Sequence, residues 1–439
     1  MVNWIMIEKY IRDPIHGYIE ISPCAREIID TPLFQRLRRV KQLSFSHLVY
    51  PGAEHSRFGH SLGVYHLAKR VNSYLLKDEK DEIKEEFCLA GLLHDIGHHP
   101  FSHSFESILN QKNKNPKINY NHENYTQQII KNTEIGEIIE NNGFSKNTVI
   151  KLLGGSYVKK PRLQFLNELI SSELDLDRLD YLLRDSYYCG VPYGRVDLER
   201  LLISLKTVDG NLIITEKGKQ SIEMYVLARF YMYTQVYLHH TSIALDILLQ
   251  NIFGDDYWKD IKYPKPTKKE INNFINYDDN WLSTQIKNIS EREDRYGDLA
   301  KRILCRNPLR MVIEKIAFSD AQTNAVPEDY SFVKALNDNL DVISQESGIP
   351  QEDIFINEPW QNLPFENRYH PYTTKVSTPI KIEIKGKIMD ITQDQSSMTY
   401  NIARYMAQVI RVYTKNEHRE TLKNILKTRY ERISHLLVD

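Results

Sequence analysis

Leu92-Leu93-His94-Asp95-Ile96-Gly97-His98-His99-Pro100-Phe101-Ser102-His103 joins an apolar run to a cluster of four histidines and one aspartate. Upstream, Phe87, Cys88, Leu89, Ala90, Leu92 and Leu93 are apolar on most sides of a helix expected from Glu85 to about Ile96, and such a helix belongs in a core. Gly97 ends it and Pro100 forbids its continuation. An ionised aspartate at the end of a buried helix is costly unless compensated, and a cation is one compensation. His94 and His98, four residues apart, share a face. Neutral imidazole and carboxylate together suit a borderline divalent cation. A His-Asp pair standing alone is more often a cap beside solvated histidines, so the reading depends on partners elsewhere in the chain.

Nine of the 15 histidines (His47, His55, His60, His66, His94, His98, His99, His103 and His122) are concentrated in one short part of the chain. His60 stands in His55-Ser56-Arg57-Phe58-Gly59-His60-Ser61, at the start of a helix expected from Phe58 to Leu76. Asp177 stands in Asp175-Leu176-Asp177-Arg178-Leu179-Asp180-Tyr181-Leu182-Leu183-Arg184-Asp185, where a helix puts Asp177, Asp180, Tyr181 and Arg184 on neighbouring faces. Alone, that run also reads as an exposed helix laced with i, i+4 pairs. Together, His60, His94, Asp95 and Asp177 give the order His…His-Asp…Asp across separate helices.

Composition sets broad limits. Of 439 residues, 41% are hydrophobic and 26% charged, too apolar for intrinsic disorder. Lys plus Arg (57) against Asp plus Glu (58) removes the basic excess of a DNA-coating protein. No apolar run approaches the roughly 18 residues of a membrane span. Met1 to Tyr10 lack the features of a signal peptide, so a cytoplasmic location is expected. Cys24, Cys88, Cys189 and Cys305 form no C-x-x-C pair and read as buried free thiols.

The expected architecture is mainly α. Thr31-Pro32 opens a helix over 31–46, with Leu33, Leu37, Val40 and Leu43 at helical spacing. Further helices are expected over 122–141, 161–185, 197–205 and 218–252, with a β-hairpin at Asp209-Gly210. Residues 256–300 are polar and Lys/Asn/Asp-rich, with helices placed loosely. Lys381 to Met389 alternates as a strand pair, and a closing helix is expected over about 419–437. The division is a helical core (1–254), a helical extension (255–345) and a small α+β C-terminal region (346–439).

The His…His-Asp…Asp order resembles the HD-domain metal-dependent phosphohydrolases, and the words around it are similar to the deoxynucleoside triphosphate triphosphohydrolase branch, with no counterpart of the sterile-alpha-motif domain. The matching blocks include Arg12-Asp13-Pro14-Ile15-His16-Gly17, Phe34-Gln35-Arg36-Leu37-Arg38, Lys41-Gln42-Leu43, Arg57 to Gly63, His94 to His103, His122-Glu123, Asp175 to Asp185, Arg229 to His240 and Ile410-Arg411-Val412-Tyr413. They run in the same order across nearly the whole chain.

The resemblance implies an HD-domain helical core and one divalent metal ion on His60, His94, Asp95 and Asp177, with further Mg accompanying bound nucleotide. Mn, Fe, Zn, Ni, Co and Mg all accept such N/O donors. His98, His103 and His122 match histidines around the triphosphate, His103 being favoured as general acid, with Glu106 and Glu123 orienting them. Arg57, Arg178 and Arg229 match phosphate-contacting cations. Gln42 and Asp185 match residues that bond the 3'-hydroxyl, and Tyr181 matches the ring crowding the 2' position. Tyr237 matches the ring stacked on the base, although Tyr231, Tyr233 and Tyr237 at near-helical spacing also read as core. Departures from the family pattern are Leu238 in place of glutamine, His99 in place of glycine and Arg178 in place of lysine.

A second constellation matches an allosteric nucleotide site. Asp30, Gln35 and Arg38 match its guanine-reading groups, and Lys9 and Arg306 match its phosphate contacts. Arg200, Lys217 and His239 match an adjoining site, from which Ser221 and His240 depart. Otherwise Asp30 reads as a helix cap and Arg38 as a solvated charge. The implied function is hydrolysis of dNTPs to deoxynucleoside and inorganic triphosphate by a homotetramer that guanine or deoxynucleotides activate between subunits. An HD phosphohydrolase for another nucleotide phosphoester and a nucleotide-sensing module are the alternatives. Neither membrane nor nucleic acid is expected as the main partner.

Overall fold

The computed structural model describes residues 9–113, 115, 118–157, 160–320, 335–357, 368–369, 380–403 and 405–429; the start of the chain and the end of the expected closing helix, 430–437, lie outside them. The chain is mainly α with small sheets, as expected. It forms two compact units that interleave in sequence: residues 1–232, 260–284 and 377–391, and residues 233–259, 285–376 and 392–439.

In the first unit, β1 (Lys9–Asp13) and β2 (Gly17–Ile21) pair antiparallel. Asp13 Oδ1 accepts the backbone N–H groups of Ile15 and His16 at 2.9 Å each, closing the turn. Helix α1 (Pro23–Ile29) is capped by Ser22. The helix expected over 31–46 shortens to α2 (Pro32–Gln35), followed by 3-10 turns at Arg36–Arg39 and Ser44–Leu48. Tertiary hydrogen bonds override the helical spacing: Val40 is extended, its carbonyl accepts Arg57 N–H at 2.9 Å, and Gln42 N–H bonds His55 O at 3.0 Å.

Two core helices follow, α3 (Arg57–Leu75) and α4 (Asp81–Leu93). Leu62, Tyr65, Leu67, Ala68 and Val71 of α3 are buried, as is every residue of α4 from Glu86 onward. Beyond them lie α5 (His103–Lys112), α6 (His122–Asn132), α7 (Glu134–Asn141), α8 (Lys146–Leu153) and α9 (Phe165–Ile170). The expected 122–141 helix divides at Thr133, whose side chain caps α7. The expected 161–185 helix divides before Asp175, which caps α10 (Leu176–Cys189); Gly190, at φ 70, ends α10 in the left-handed conformation. Helix α10 lies so close to α3 that a Cβ on Gly63 would meet Asp180 Oδ1 at 1.8 Å.

The hairpin of β3 (Leu205–Val208) and β4 (Asn211–Thr215) turns at Asp209-Gly210, both at positive φ. A second hairpin, Lys381–Ile384 with Lys387–Asp390, extends this sheet, with Ile382 parallel to Ile214. The alternating segment therefore serves the first unit, where Ile214 and Ile382 are buried.

The expected 218–252 helix is interrupted after Met232 by a π-helical turn, Tyr233–Tyr237, and resumes at His240–Ile252. In the second unit, strand Tyr405–Thr414 pairs antiparallel with Arg310–Asp320 and with Ile354–Asn357. Val312, Ile313, Ile343, Val412, Leu422 and Leu426 form its core.

Candidate active site

Five elements of the first unit bring the His and Asp residues together. Arg57 and His60 sit on the first turn of α3, His94 and Asp95 follow α4, His103 and His122 open α5 and α6, and Asp177 and Tyr181 face out of α10. With Gln42 and His98, most of these residues line a cavity of about 220 Å³.

One ligand atom from each of His60, His94 and Asp95 lies within 4.8 Å of the others. His60 Nε2 is 3.1 Å from His94 Nε2 and 2.9 Å from Asp177 Oδ1, and His94 Nε2 is 3.4 Å from Asp95 Oδ1. The opposite ring nitrogens are occupied: His60 Nδ1 meets Asp180 Oδ2 at 2.7 Å and His94 Nδ1 meets Gly91 O at 2.8 Å. Both Nε2 atoms therefore point at one place, with the orienting partners typical of metal-bound imidazole. Two neutral imidazoles and two carboxylates fit a divalent cation. Burial would raise the carboxyls of Asp95 and Asp177. For Asp95 the neighbouring Arg57, His94 and His98 win, and for Asp177 the hydrogen bonds from His60 and His94, so both stay well below the usual range.

Behind this cluster, Asp180 is fully buried and bonds His16 Nε2 at 2.6 Å as well as Arg184 Nε at 2.8 Å, while Arg184 Nη1 reaches Asp13 at 2.8 Å. Asp180, Asp13 and His16 have no role predicted from sequence. The three-residue step from Asp177 to Asp180, and the i, i+4 step on to Arg184, are the sequence signals that point to Asp180.

On the other side of the cavity three histidine rings pack together. His98 stacks on His122 at 4.1 Å, and His103 meets His98 at 5.1 Å and His122 at 5.2 Å, both edge-on. Glu106 bonds His122 Nδ1 at 3.0 Å. Burial would raise the Glu106 carboxyl, but the His122 hydrogen bond and the nearby His122, His103 and His99 rings bring it down to about 2. Burial likewise opposes protonation of His122, and Glu106 reverses this, so its pKa rises. Burial, together with Arg57 and His122, drives His98 well below the ordinary histidine value. Arg57 bonds Asp95 at 2.5 Å and Ser102 Oγ at 3.0 Å.

Gln42 and Tyr181 reach the cavity wall, and the Gln42 Oε1 atom is buried with no hydrogen-bond partner among the described residues. Asp185 is buried with Oδ1 2.7 Å from His55 Nε2. Arg178 pairs with Asp175 and Arg229 with buried Glu173. Tyr237 and Arg306 belong to the second unit, Tyr237 edge-on to Tyr233 at 5.0 Å and Arg306 at φ 50. Of the remaining residues, Lys9 opens β1, Gln35 Nε2 bonds Ile29 O at 2.7 Å, and Arg38 Nε bonds Gln35 Oε1 at 2.8 Å with its guanidinium 3.6 Å from the Phe58 ring centre. Thr31, not Asp30, caps α2, and the Asp30 side chain is exposed.

The family described as HD domain matches residues 57–185, and that described as HD associated region matches residues 196–431. An uncharacterized protein of Methanocaldococcus jannaschii is 31% identical over 98% of this chain and 86% of its own length. The Bacillus subtilis protein YwfO, also uncharacterized, is 40% identical over 56% of this chain and 55% of its own. The human deoxynucleoside triphosphate triphosphohydrolase SAMHD1 is 32% identical over 57% of this chain. The chain spans about half the length of these last two relatives, 55% and 45%.

Proposed function

Because the chain belongs to the HD-domain family, we propose that it is a metal-dependent hydrolase converting dNTPs to deoxynucleoside and inorganic triphosphate. The observation that carries this reading is the convergence of His60, His94, Asp95 and Asp177 beside a cavity walled by His98, His103, His122 and Arg57. A divalent ion on those four ligands would polarise a phosphoryl oxygen and lower the pKa of a water. His103 gives a proton to the departing 5'-oxygen as water adds to the α-phosphorus, so the P–O5' bond breaks and three phosphates leave together. His98, His122 and Arg57 hold phosphate oxygens, with Arg178 and Arg229 supplying further positive charge. The Gln42 amide takes a sugar hydroxyl, joined by Asp185, and Tyr181 crowds the 2' carbon so that ribose is refused.

The activator reading extends this proposal. Asp30, Gln35 and Arg38 offer a guanine-reading edge, Lys9 and Arg306 supply charge for its phosphates, and a nucleotide binding between subunits favours a homotetramer through its differential affinity. The test is incubation with each dNTP and NTP, with and without GTP or dGTP, followed by separation of products. Deoxynucleoside plus triphosphate supports the reading. Nucleoside monophosphate plus pyrophosphate, or turnover of a different phosphoester alone, refutes it.

A further inference from the structure

One carboxylate, outside the HD domain match, bonds two segments that each lead into the cavity lining. Asp279 begins the helix Asp279–Ser290 and is 6% exposed. Its Oδ2 accepts the backbone N–H of Lys41 at 2.8 Å, and its Oδ1 accepts that of Phe101 at 2.9 Å. Lys41 adjoins Gln42. Phe101 adjoins Ser102, whose hydroxyl meets Arg57 Nε, and His103 follows. Phe101 and Ser102 stand at φ 50 and 53, a left-handed region that residues other than glycine leave unless they are held there.

The residues before Asp279 grip the same loop from behind. Arg36 Nε donates to Tyr277 O at 2.7 Å while its Nη2 donates to His98 O at 2.6 Å, and its guanidinium lies 3.9 Å from the Phe274 ring centre. The Tyr263 hydroxyl bonds His99 Nδ1 at 2.7 Å. Burial pushes the Asp279 carboxyl up to about 6 despite the two N–H bonds and the nearby charges of Arg36 and Lys41, so the clamp is held at a cost in solvation.

We propose that Asp279 is a positioning residue that ties the Lys41–Gln42 and Phe101–His103 segments together, fixing the sugar-reading amide relative to the proton-donating imidazole. The roles of Gln42 and His103 rest on the hydrolase reading above; the clamp itself rests on the two hydrogen bonds. Asp279→Asn keeps the shape of the side chain but turns one N–H acceptor into a donor facing another donor.

The experiment compares metal content, kcat and KM of wild type and D279N on a dNTP. At full metal occupancy, kcat falls by about tenfold to hundredfold and KM rises with it, as expected for misplaced reacting groups. Unchanged kcat and KM in a folded variant overturn the proposal. So does a fall in kcat alone that tracks lost metal or lost folded protein. On the wild-type protein, the amide resonances of Lys41 and Phe101 move together with the Asp279 carboxyl carbon during a pH titration, and amides that ignore it overturn the clamp. If wild type releases no deoxynucleoside from any dNTP, the hydrolase reading fails while this titration still decides the clamp.

Discussion

His60 Nδ1 and Asp180 Oδ2 lie 2.7 Å apart with both side chains fully buried, and this bond fixes which imidazole nitrogen faces the cavity. The carboxylate holds the proton on Nδ1 and leaves Nε2 as a lone-pair donor. Arg184 and His16 in turn hold Asp180, so the orientation of the His60 ring runs back to the hairpin of β1 and β2.

Asp180→Asn retains an acceptor but loses the charge that fixes the tautomer. Metal affinity should fall by about tenfold to hundredfold, with helix content unchanged. Metal titration followed by competition with a chelator measures it; wild-type affinity would show that the bond to His60 is incidental.

Asp177→Ala, or alanine at both His94 and Asp95, removes proposed ligands directly. Either variant should lose its stoichiometric metal and all hydrolysis, because an incomplete donor set cannot hold the ion in competition with water. Full activity with bound metal in either would mean that the ion sits elsewhere.

The Glu106–His122 pair predicts a pH window of stability. The depressed carboxyl of Glu106 contributes stability that is present above its ordinary value of 4.5 and is lost as pH falls through about 2. The raised His122 contributes stability that is present below its ordinary 6.5 and is lost as pH rises through its folded value. Glu106→Gln should therefore destabilise most between those two ordinary values, by about 1.5–3 kcal/mol, and less on either side. Denaturant midpoints measured across pH test this, and a penalty independent of pH would contradict it.

Arg38→Ala removes the guanidinium that bonds Gln35 Oε1 and stacks on Phe58. It should raise the GTP concentration needed for half-maximal activity by about tenfold, the loss of one charge-assisted contact, without affecting metal content. Superimposable activation curves and sedimentation profiles would reduce Arg38 to a surface charge.

The convergence of His60, His94, Asp95 and Asp177 was legible because its words are short and local: His94-Asp95 ends an apolar run, and His60 and Asp177 each lie in a helix with a readable pattern. Helix ends were less legible. Leu33, Leu37, Val40 and Leu43 have helical spacing, yet the backbone at Val40 to Gln42 bonds Arg57, His55 and Asp279 instead. Those partners are distant in sequence, so no local propensity reports them. Asp279 lies in a polar, Lys/Asn/Asp-rich stretch with no pattern that marks it, and the two backbone N–H groups it accepts lie far upstream. The Lys381–Asp390 hairpin was visible as alternation, but its parallel pairing with β4 was not.

That late hairpin bears on the order of synthesis. The first unit needs residues 260–284 for Asp279 and 377–391 for its sheet, so the ribosome has made nearly nine-tenths of the chain before the unit's own contacts can all form. At roughly 5–20 residues per second, the early helices wait many seconds with Ile214 and its neighbours lacking a partner strand. A fragment ending at Met232 should accordingly unfold over a broad range and bind hydrophobic dye. The same residues in the complete chain should melt sharply, and a cooperative transition in the fragment would show that the late segments are ornament to a nucleus already closed.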